Sequence, residues 1–399
     1  MKNAICYVAS LVLLTVCCKD PPITTEAEAE FSFSVDKLEV TFTNLSVNAE
    51  YYEWNFQDGN YSSTEENPVH IFPRTGVFPV MLIAKSEDMM GDTMVHDVEV
   101  FRRNENITSE YTFESPYKNY ANWYRGQLHV HCTASYFGQD PPDVMVETYR
   151  ELGYDFISLT DHSVNTSDPG VEGILYIPGE EVHASLDGLE VHMNAYNINS
   201  TIPDGVTSEE LISMKDVICQ LNHPARSNVI YHHLDNAGAG LWGIEISNWY
   251  DKMEMDLWLW DNQISQEKRI WCNAADDMTS AANAGHNATI VNSETNSASD
   301  IHANLIAGNF YATEGGPDFV NMDITLEGNT IYCSTTNGNC IIWYKHDLQM
   351  VKKTYGQTDS YTPKGNEVFI RIEVQSDSDD DGDGIPNTAY SQPIFLIYQ

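Results

Sequence analysis

Positive charge is scarce in this chain. Twenty Lys and Arg (20) stand against 59 Asp and Glu across 399 residues, a formal net charge of −39. Such acidity repels phosphate backbones and anionic bilayers, which excludes nucleic-acid binding and non-specific membrane adsorption. Long apolar runs are scarce too. Ala4 to Val16 is hydrophobic but too short to span a bilayer, and no segment of spanning length follows it. Cysteine offers little chemistry. Beyond residue 18 stand Cys132, Cys219, Cys272, Cys333 and Cys340, an odd set with no CxxC pair, so at least one thiol stays free and a cysteine zinc site is excluded. Cys333 and Cys340 flank Ser-Thr-Thr-Asn-Gly-Asn between β-rich runs, a spacing that suits a hairpin disulfide. What remains is ample: 42% apolar residues for real cores, a length that points to two or three domains, and 13 His beside the carboxylates to ligate divalent cations.

The N-terminus reads as a targeting segment. Met1-Lys2 opens a short positive region, the apolar run follows, and the chain turns abruptly at Leu14-Thr15-Val16-Cys17-Cys18. This ending resembles a bacterial lipoprotein signal over residues 1–18, which implies lipidation at Cys18, with Cys17 the alternative. An ordinary secretory signal is the plainer reading. Either implies an extracytoplasmic, oxidising compartment, and the lipidated form implies the outer membrane or cell surface, with the lipid as the only membrane attachment.

Residues 28–103 alternate at period two, as in Phe31-Phe33-Val35, Leu38-Val40-Phe42 and Val77 to Ile83, with Asn, Asp and Gly turns between; this predicts a small antiparallel sandwich. Trp54-Asn55-Phe56-Gln57-Asp58-Gly59, Asn67-Pro68-Val69-His70 and Gly76-Val77-Phe78-Pro79-Val80 resemble a PKD domain, an immunoglobulin-like β-sandwich used as a spacer in surface proteins. Gln57 departs from the Gly usual there. Trp54 and His70 read as structural, and the resemblance implies a stalk or weak glycan binding.

Residues 120–312 change rhythm. Gln127-Leu128-His129-Val130-His131 puts two imidazoles on one face of a strand, where one metal can be gripped without distortion. Pro142 to Leu152 has Val144, Val146, Tyr149 and Leu152 near helical spacing. Further buried-strand runs each end in a potential ligand: Phe156 to Thr160 in Asp161-His162, Leu175 to Gly179 in Glu180-Glu181, Val217 to Asn222 in His223, Gly243 to Ile246 around Glu245, and Ile270 to Cys272 before Asp276-Asp277. A parallel barrel would gather such strand ends at one mouth.

His129-Val130-His131, Thr160-Asp161-His162, Pro178-Gly179-Glu180-Glu181, His192-Met193-Asn194, Asn222-His223-Pro224 and Asp276-Asp277 resemble, in order, the PHP (polymerase and histidinol phosphatase) superfamily. Leu305 to Thr313 is similar to its CehA/McbA-like branch. The resemblance implies an α/β distorted (β/α)7 barrel performing metal-dependent hydrolysis, usually of phosphoesters. It implies one metal on His129, His131, Glu181 and Asp277, and a second on Glu181, His192 and His223, with Glu181 preferred to Glu180 and Asp277 to Asp276. The family's three-metal members carry further His where this chain has Phe137 and Thr279, so two metals are expected, Zn²⁺ before Mn²⁺ or Fe²⁺. Asp161 and His162 are left for proton transfer, His162 with a pKa near neutrality, and Arg226 for neutralising a phosphate oxygen. His286 is a possible replacement ligand or a plain loop residue. His232, His233, Trp249 and Tyr250 are candidates for the substrate side.

Residues 313–399 read as a small C-terminal β-domain with an acidic loop at 377–384. There Asp377, Asp379, Asp381 and Asp383 alternate before a glycine, as in a structural Ca²⁺ site or a solvated hairpin tip; Thr388 stands where an EF-hand needs Glu. The expected function is a lipid-anchored metal-dependent phosphoesterase acting on a small or glycan-linked phosphoester. A carboxyl or carbamate ester or amide hydrolase on the same metals, and a non-catalytic surface glycan-binding lipoprotein, are the alternatives.

Overall fold

The structure, a computed structural model, describes residues 27–59, 62–87, 91–102, 110–236, 240–250, 254–316, 318–379, 384 and 386–398. The leader with Cys17 and Cys18, and Asp381 and Asp383 of the acidic loop, lie outside them. The chain divides into two compact units, residues 1–102 and 103–399. Among the described residues, no helix is long and apolar enough to cross a membrane.

The first unit is two antiparallel sheets. One pairs Phe31–Asp36, Glu39–Asn44 and Val69–Ile71; the other orders Ser62–Ser63, Tyr51–Asn55, Gly76–Lys85 and Gly91–Val100. Alternation does the work: Val40 and Phe42 point inward with Trp54, Phe78, Val80 and Leu82, all buried, while their neighbours face solvent. Trp54 Nε1 donates to Glu65 O at 2.9 Å, and His70 pairs with Asp58 at 2.6 Å while stacking on Phe56 at 3.9 Å. Gln57 takes a left-handed backbone, φ 56°, the conformation glycine adopts freely, and Asn55 Oδ1 accepts from its amide at 2.9 Å. The turn thus keeps the glycine geometry at a cost of about 1 kcal/mol.

The second unit holds the chemistry-bearing residues. Asn122–Gln127, Phe156–Ile157 and Leu175–Tyr176 pair in parallel, and Asn287–Ser293 joins the first of them antiparallel. A separate five-stranded sheet orders Gly179–Leu186, Leu189–Tyr196, Ile218–Leu221, Gly243–Ser247 and Trp271–Ala274. Its last three strands run parallel, but Gly179–Leu186 and Leu189–Tyr196 form an antiparallel hairpin. The turn Asp187-Gly188 explains the hairpin: both residues have positive φ, 49° and 82°, as a tight primed turn requires.

The expected closed barrel of strand ladders is not what the described residues show. Helices are few and short, and the backbone pairing between the two sheets at the site is by isolated parallel bridges, Val130 to Met278 and His162 to Glu181, while their faces share apolar clusters. Single hydrogen bonds accompany them: His131 N to Met278 O at 2.8 Å, Glu181 N to Asp161 O at 3.2 Å, and Ser163 N to Glu181 O at 3.1 Å. A bridge without a ladder leaves the intervening side chains free to converge.

The helix Pro142–Glu151 starts with Pro inside its first turn and ends before Gly153 at φ 81°. Its buried face is Met145, Val146 and Tyr149; Val144 and Leu152, expected inside, are 40% and 37% exposed. The segment 313–399 is strand-rich, yet it does not stand apart. Thr388–Ser391 pairs with Phe310–Glu314, and Phe369–Gln375 pairs with Thr388–Ser391, extending the main sheet. All five described cysteines are buried and free. Cys333 and Cys340 make no hairpin because they belong to different sheets, Cys333 opposite Ile324 and Cys340 opposite Tyr355.

Candidate metal centre

Glu181 stands at the middle of the site. Buried on its strand, its carboxylate lies 3.3 Å from His129 Nε2, 3.2 Å from His131 Nε2, 3.2 Å from His162 Nδ1, 3.1 Å from His192 Nδ1 and 3.4 Å from His223 Nε2. Asp277 faces the same rings, 3.3 Å from His129 and 3.1 Å from His131. Two groups of donors therefore converge around Glu181: His129, His131, Glu181 and Asp277, and Glu181, His192 and His223.

The local backbone is bent to present them. His223 and Asp277 both have positive φ, 27° and 53°, each at the end of a strand. Such strain persists only where surrounding contacts hold it. For His223 the hold is Glu245 Oε2, which accepts from its amide at 3.1 Å. Neighbouring carboxylates sort into different duties. Asp276 is consumed by the fold, accepting from Tyr149 Oη at 2.7 Å and from the amides of Gly285, His286 and Asn287. Glu180 turns away to the Ile202 amide, and burial pushes its carboxyl up to about 7.

The donor atoms are orphaned in a way that fits a cation. His129 Nε2, His131 Nδ1, His162 Nδ1, Glu181 Oε2, His192 Nδ1 and both nitrogens of His223 are buried without a hydrogen-bond partner. Buried polar atoms left unpaired are costly. His129 Nε2, His162 Nδ1, His192 Nδ1 and His223 Nε2 face Glu181 at 3.1–3.4 Å without hydrogen-bond alignment, while His131 Nε2 is bonded to Asp277 Oδ1 at 3.1 Å. An ion between them satisfies both sides. The mixed imidazole and carboxylate set suits a divalent transition metal.

Glu245, one of the potential ligands at the strand ends, belongs to neither donor group and instead fixes a ligand. Its Oε1 accepts from His129 Nδ1 at 2.8 Å, which sets the tautomer and leaves Nε2 facing Glu181 and Asp277. Asn248 Nδ2 holds the other oxygen at 3.2 Å. Replacing Glu245 with Gln is expected to weaken metal binding by about 10–100-fold, read by competition with a chromogenic chelator.

Electrostatics couple these groups. Burial opposes charge on His131, but hydrogen bonds and charge from Asp277 and Glu181 outweigh it and carry the ring up to about 9. Burial also opposes ionisation of Glu181, yet His129, His131 and His192 hold its carboxyl well below the usual range. With no metal bound, His131 is therefore protonated at pH 7 and must release its proton to ligate. Metal affinity is expected to rise with pH, about tenfold per unit for each proton released, with acidification of a weakly buffered sample on metal addition. Isothermal titration in two buffers of different ionisation enthalpy measures the proton count.

Other sequence candidates sit differently from expectation. Asp161 accepts from Cys132 N and Ser135 Oγ at 2.7 Å, from Cys132 Sγ at 2.9 Å and from Thr166 Oγ1 at 2.5 Å. It anchors the loop after His131 and does not orient His162. His162, expected near neutrality, is brought down to about 4 by burial, against Glu181 and with His131, His192 and His183. Without a metal, a ring with that pKa is the neutral imidazole at pH 7, with one ring N–H. Arg226 donates to Asp277 Oδ2 at 3.1 Å and lies over the Tyr250 ring at 5.9 Å. His286 packs on Trp249 at 3.8 Å and joins neither donor group. Asp379 accepts from Gly384 N at 3.0 Å.

A pocket of about 590 Å³ opens onto the cluster, lined by His131, His162, Glu181, His192 and Asp277 with Phe137, Gln139, Arg226, Tyr250 and Thr279. His183 is the residue the sequence reading passed over. It lies two positions after Glu181 on the same strand face and directly opposite His192.

Residues 19–100 match the family model described as the PKD domain. The first unit carries a PKD domain. In solved structures that part of the chain is similar to the PKD1 domain of Vibrio anguillarum Epp, at 26% identity over 20% of this chain and 96% of the other, TM-score 0.19. It is also similar to the PKD1 domain of the Vibrio cholerae metalloprotease PrtV, at 26% identity over 19% of this chain and 99% of the other, TM-score 0.18. A longer span is similar to a two-domain protein from Bacteroides vulgatus ATCC 8482, described as containing a predicted PHP-like metal-dependent phosphoesterase. That likeness is 15% identical over 74% of this chain and 99% of the other, TM-score 0.40. No curated protein matches the chain. Among the described residues, none of the donor groups lies in the PKD domain.

Proposed function

We propose that the chain is an extracytoplasmic metal-dependent hydrolase acting on phosphoesters, with the PKD domain as a spacer behind a lipid anchor at Cys18. The observation that carries the reading is the buried cluster of orphaned His nitrogens around Glu181, open to a pocket with a guanidinium at its wall. On this reading the two sheets, bridged at the site, are a distorted form of the PHP barrel.

His129, His131, Glu181 and Asp277 would hold one divalent ion, and Glu181, His192 and His223 a second, Zn²⁺ by preference. When bound, such a pair supplies an activated water and charge stabilisation for the transition state. The chain's own residues do the rest. Glu245 and Asn222 orient His129 and Glu181, the latter through Asn222 Nδ2 to Glu181 Oε1 at 2.9 Å. Arg226 holds Asp277 in place and lines the pocket, where its positive charge can offset that of a phosphate oxygen. Phe137 and Tyr250 offer apolar faces to the rest of the substrate.

A second reading has a specific support. Arg226 is the one Arg or Lys among the described residues lining the pocket, and Asp277 already engages it. That favours a less charged substrate, a carboxyl or carbamate ester or an amide. The deciding experiment is elemental analysis of the purified full-length chain, paired with hydrolysis of bis-p-nitrophenyl phosphate, p-nitrophenyl phosphate and p-nitrophenyl acetate. Transition metal in the protein with phosphoester turnover that His129→Ala abolishes supports the first reading. Metal with acetate turnover alone supports the second. A chain that binds no transition metal after supplementation overturns both.

A further inference from the structure

We propose a further cation site beside the Glu181 centre, built from His162, His183 and His192. It rests on the two-metal reading, because it shares His192 with that centre, and it adds His183, which that reading leaves without a role.

The three rings form a triangle, with centroids 5.0 Å apart for His162 and His183, 5.0 Å for His162 and His192, and 4.5 Å for His183 and His192. One nitrogen from each lies within 4.8 Å of the others. Two different backbone devices bring them there. His183 and His192 are direct partners across the hairpin, and His162 arrives through its bridge to Glu181, two residues before His183.

The assignment of nitrogens is decisive. Each ring has its Nδ1 turned to a carboxylate: His162 to Glu181 at 3.2 Å, His192 to Glu181 at 3.1 Å and His183 to Glu190 at 3.3 Å. That leaves Nε2 of each as the outward donor. For His183 the arrangement repeats the Glu245 to His129 pair, in which a carboxylate on Nδ1 fixes the tautomer and frees Nε2 to ligate. Three Nε2 donors with solvent on the remaining side make an open, nitrogen-only site suited to Zn²⁺ or Co²⁺. All three rings are half-buried, so an ion and its waters can enter without unfolding the hairpin. With both ions bound, His192 would belong to both donor sets, and its ring proton would have to pass to solvent.

The test is equilibrium dialysis of the full-length chain against Zn²⁺, followed by elemental analysis, on the natural sequence and on His183→Ala and His183→Gln. Three ions per chain are expected for the natural sequence and two for each variant, with bis-p-nitrophenyl phosphate hydrolysis kept within about threefold. Circular dichroism melting shows whether each variant is folded; agreement of two chemically different replacements separates loss of a ligand from loss of structure. Co²⁺ supplies a second readout, since visible absorption from the outer site disappears in both variants. Two ions in the natural sequence, or three in the folded variants, overturns the outer site and leaves the two-metal reading standing. One ion or none in the natural sequence overturns the two-metal reading and, with it, the shared His192.

Discussion

Glu181→Gln is expected to abolish hydrolysis and strip the protein of metal. Five imidazoles face this one carboxylate at 3.1–3.4 Å. Both donor groups around the inner centre include it. Gln keeps the volume and can still accept the Asn222 hydrogen bond through its oxygen. It loses the negative charge and turns N–H donors toward rings that need an acceptor or an ion. The activity expected to remain is lower by on the order of 10³-fold or more, the scale on which removal of a preorganised charge is felt. Glu180→Gln is the internal control. Its carboxylate is bonded to the Ile202 amide and lies outside both donor groups, so metal content is expected to stay within error of the natural chain. If the two variants exchange behaviour, the choice of ligand between the adjacent glutamates is reversed.

That choice shows what was legible in the sequence. Side-chain alternation is a local property, so a pair such as His129 and His131, or an acid at a strand end, can be read from spacing. The same rule places His183 on the face of Glu181, and the Asp187-Gly188 turn announces the hairpin that sets His183 against His192. Both signals were present; the expected strand-then-helix rhythm hid them. Other features had no local signal. Asp161 follows a buried strand as a ligand would, but its oxygens are taken by Cys132 and Ser135 from a loop 26–29 positions away. Asp276 and Asp277 are equivalent in composition, and only Tyr149 and the 285–287 amides distinguish them. The isolated bridges were equally hidden, because Val130 and Met278 carry no sequence mark of pairing. Nor could the free thiols at Cys333 and Cys340 be read, since strand runs do not say which sheet each joins.

The largest effect on stability is expected at Arg371, distant in role from the metals. Its side chain is fully buried, with Nε 3.2 Å from Asp261 and Nη1 2.6 Å from Glu373, and its guanidinium lies over the Tyr344 ring at 4.4 Å. Arg371→Met preserves much of the apolar stem but leaves two buried carboxylates, Asp261 and Glu373, without their cation. Breaking one side of a buried pair costs about 3–5 kcal/mol, because the partner keeps its desolvation penalty and loses its attraction. The pH dependence identifies the cause. Burial raises Asp261 to about 6, against the pull of Arg371. A carboxyl raised in the folded state favours folding while protonated, and that contribution fades as pH climbs through its folded value. Without Arg371 the folded value rises further, so the deficit of the variant is expected to be greatest above pH 7 and to shrink toward pH 5. Urea unfolding at pH 7.5 and 5.0 measures both. Adding Asp261→Asn and Glu373→Gln to Arg371→Met removes the stranded charges and is expected to recover a large part of the loss. A deficit that is the same at both pH values and survives the triple replacement would mean that packing against Trp260 and Tyr344, rather than charge, is what Arg371 contributes.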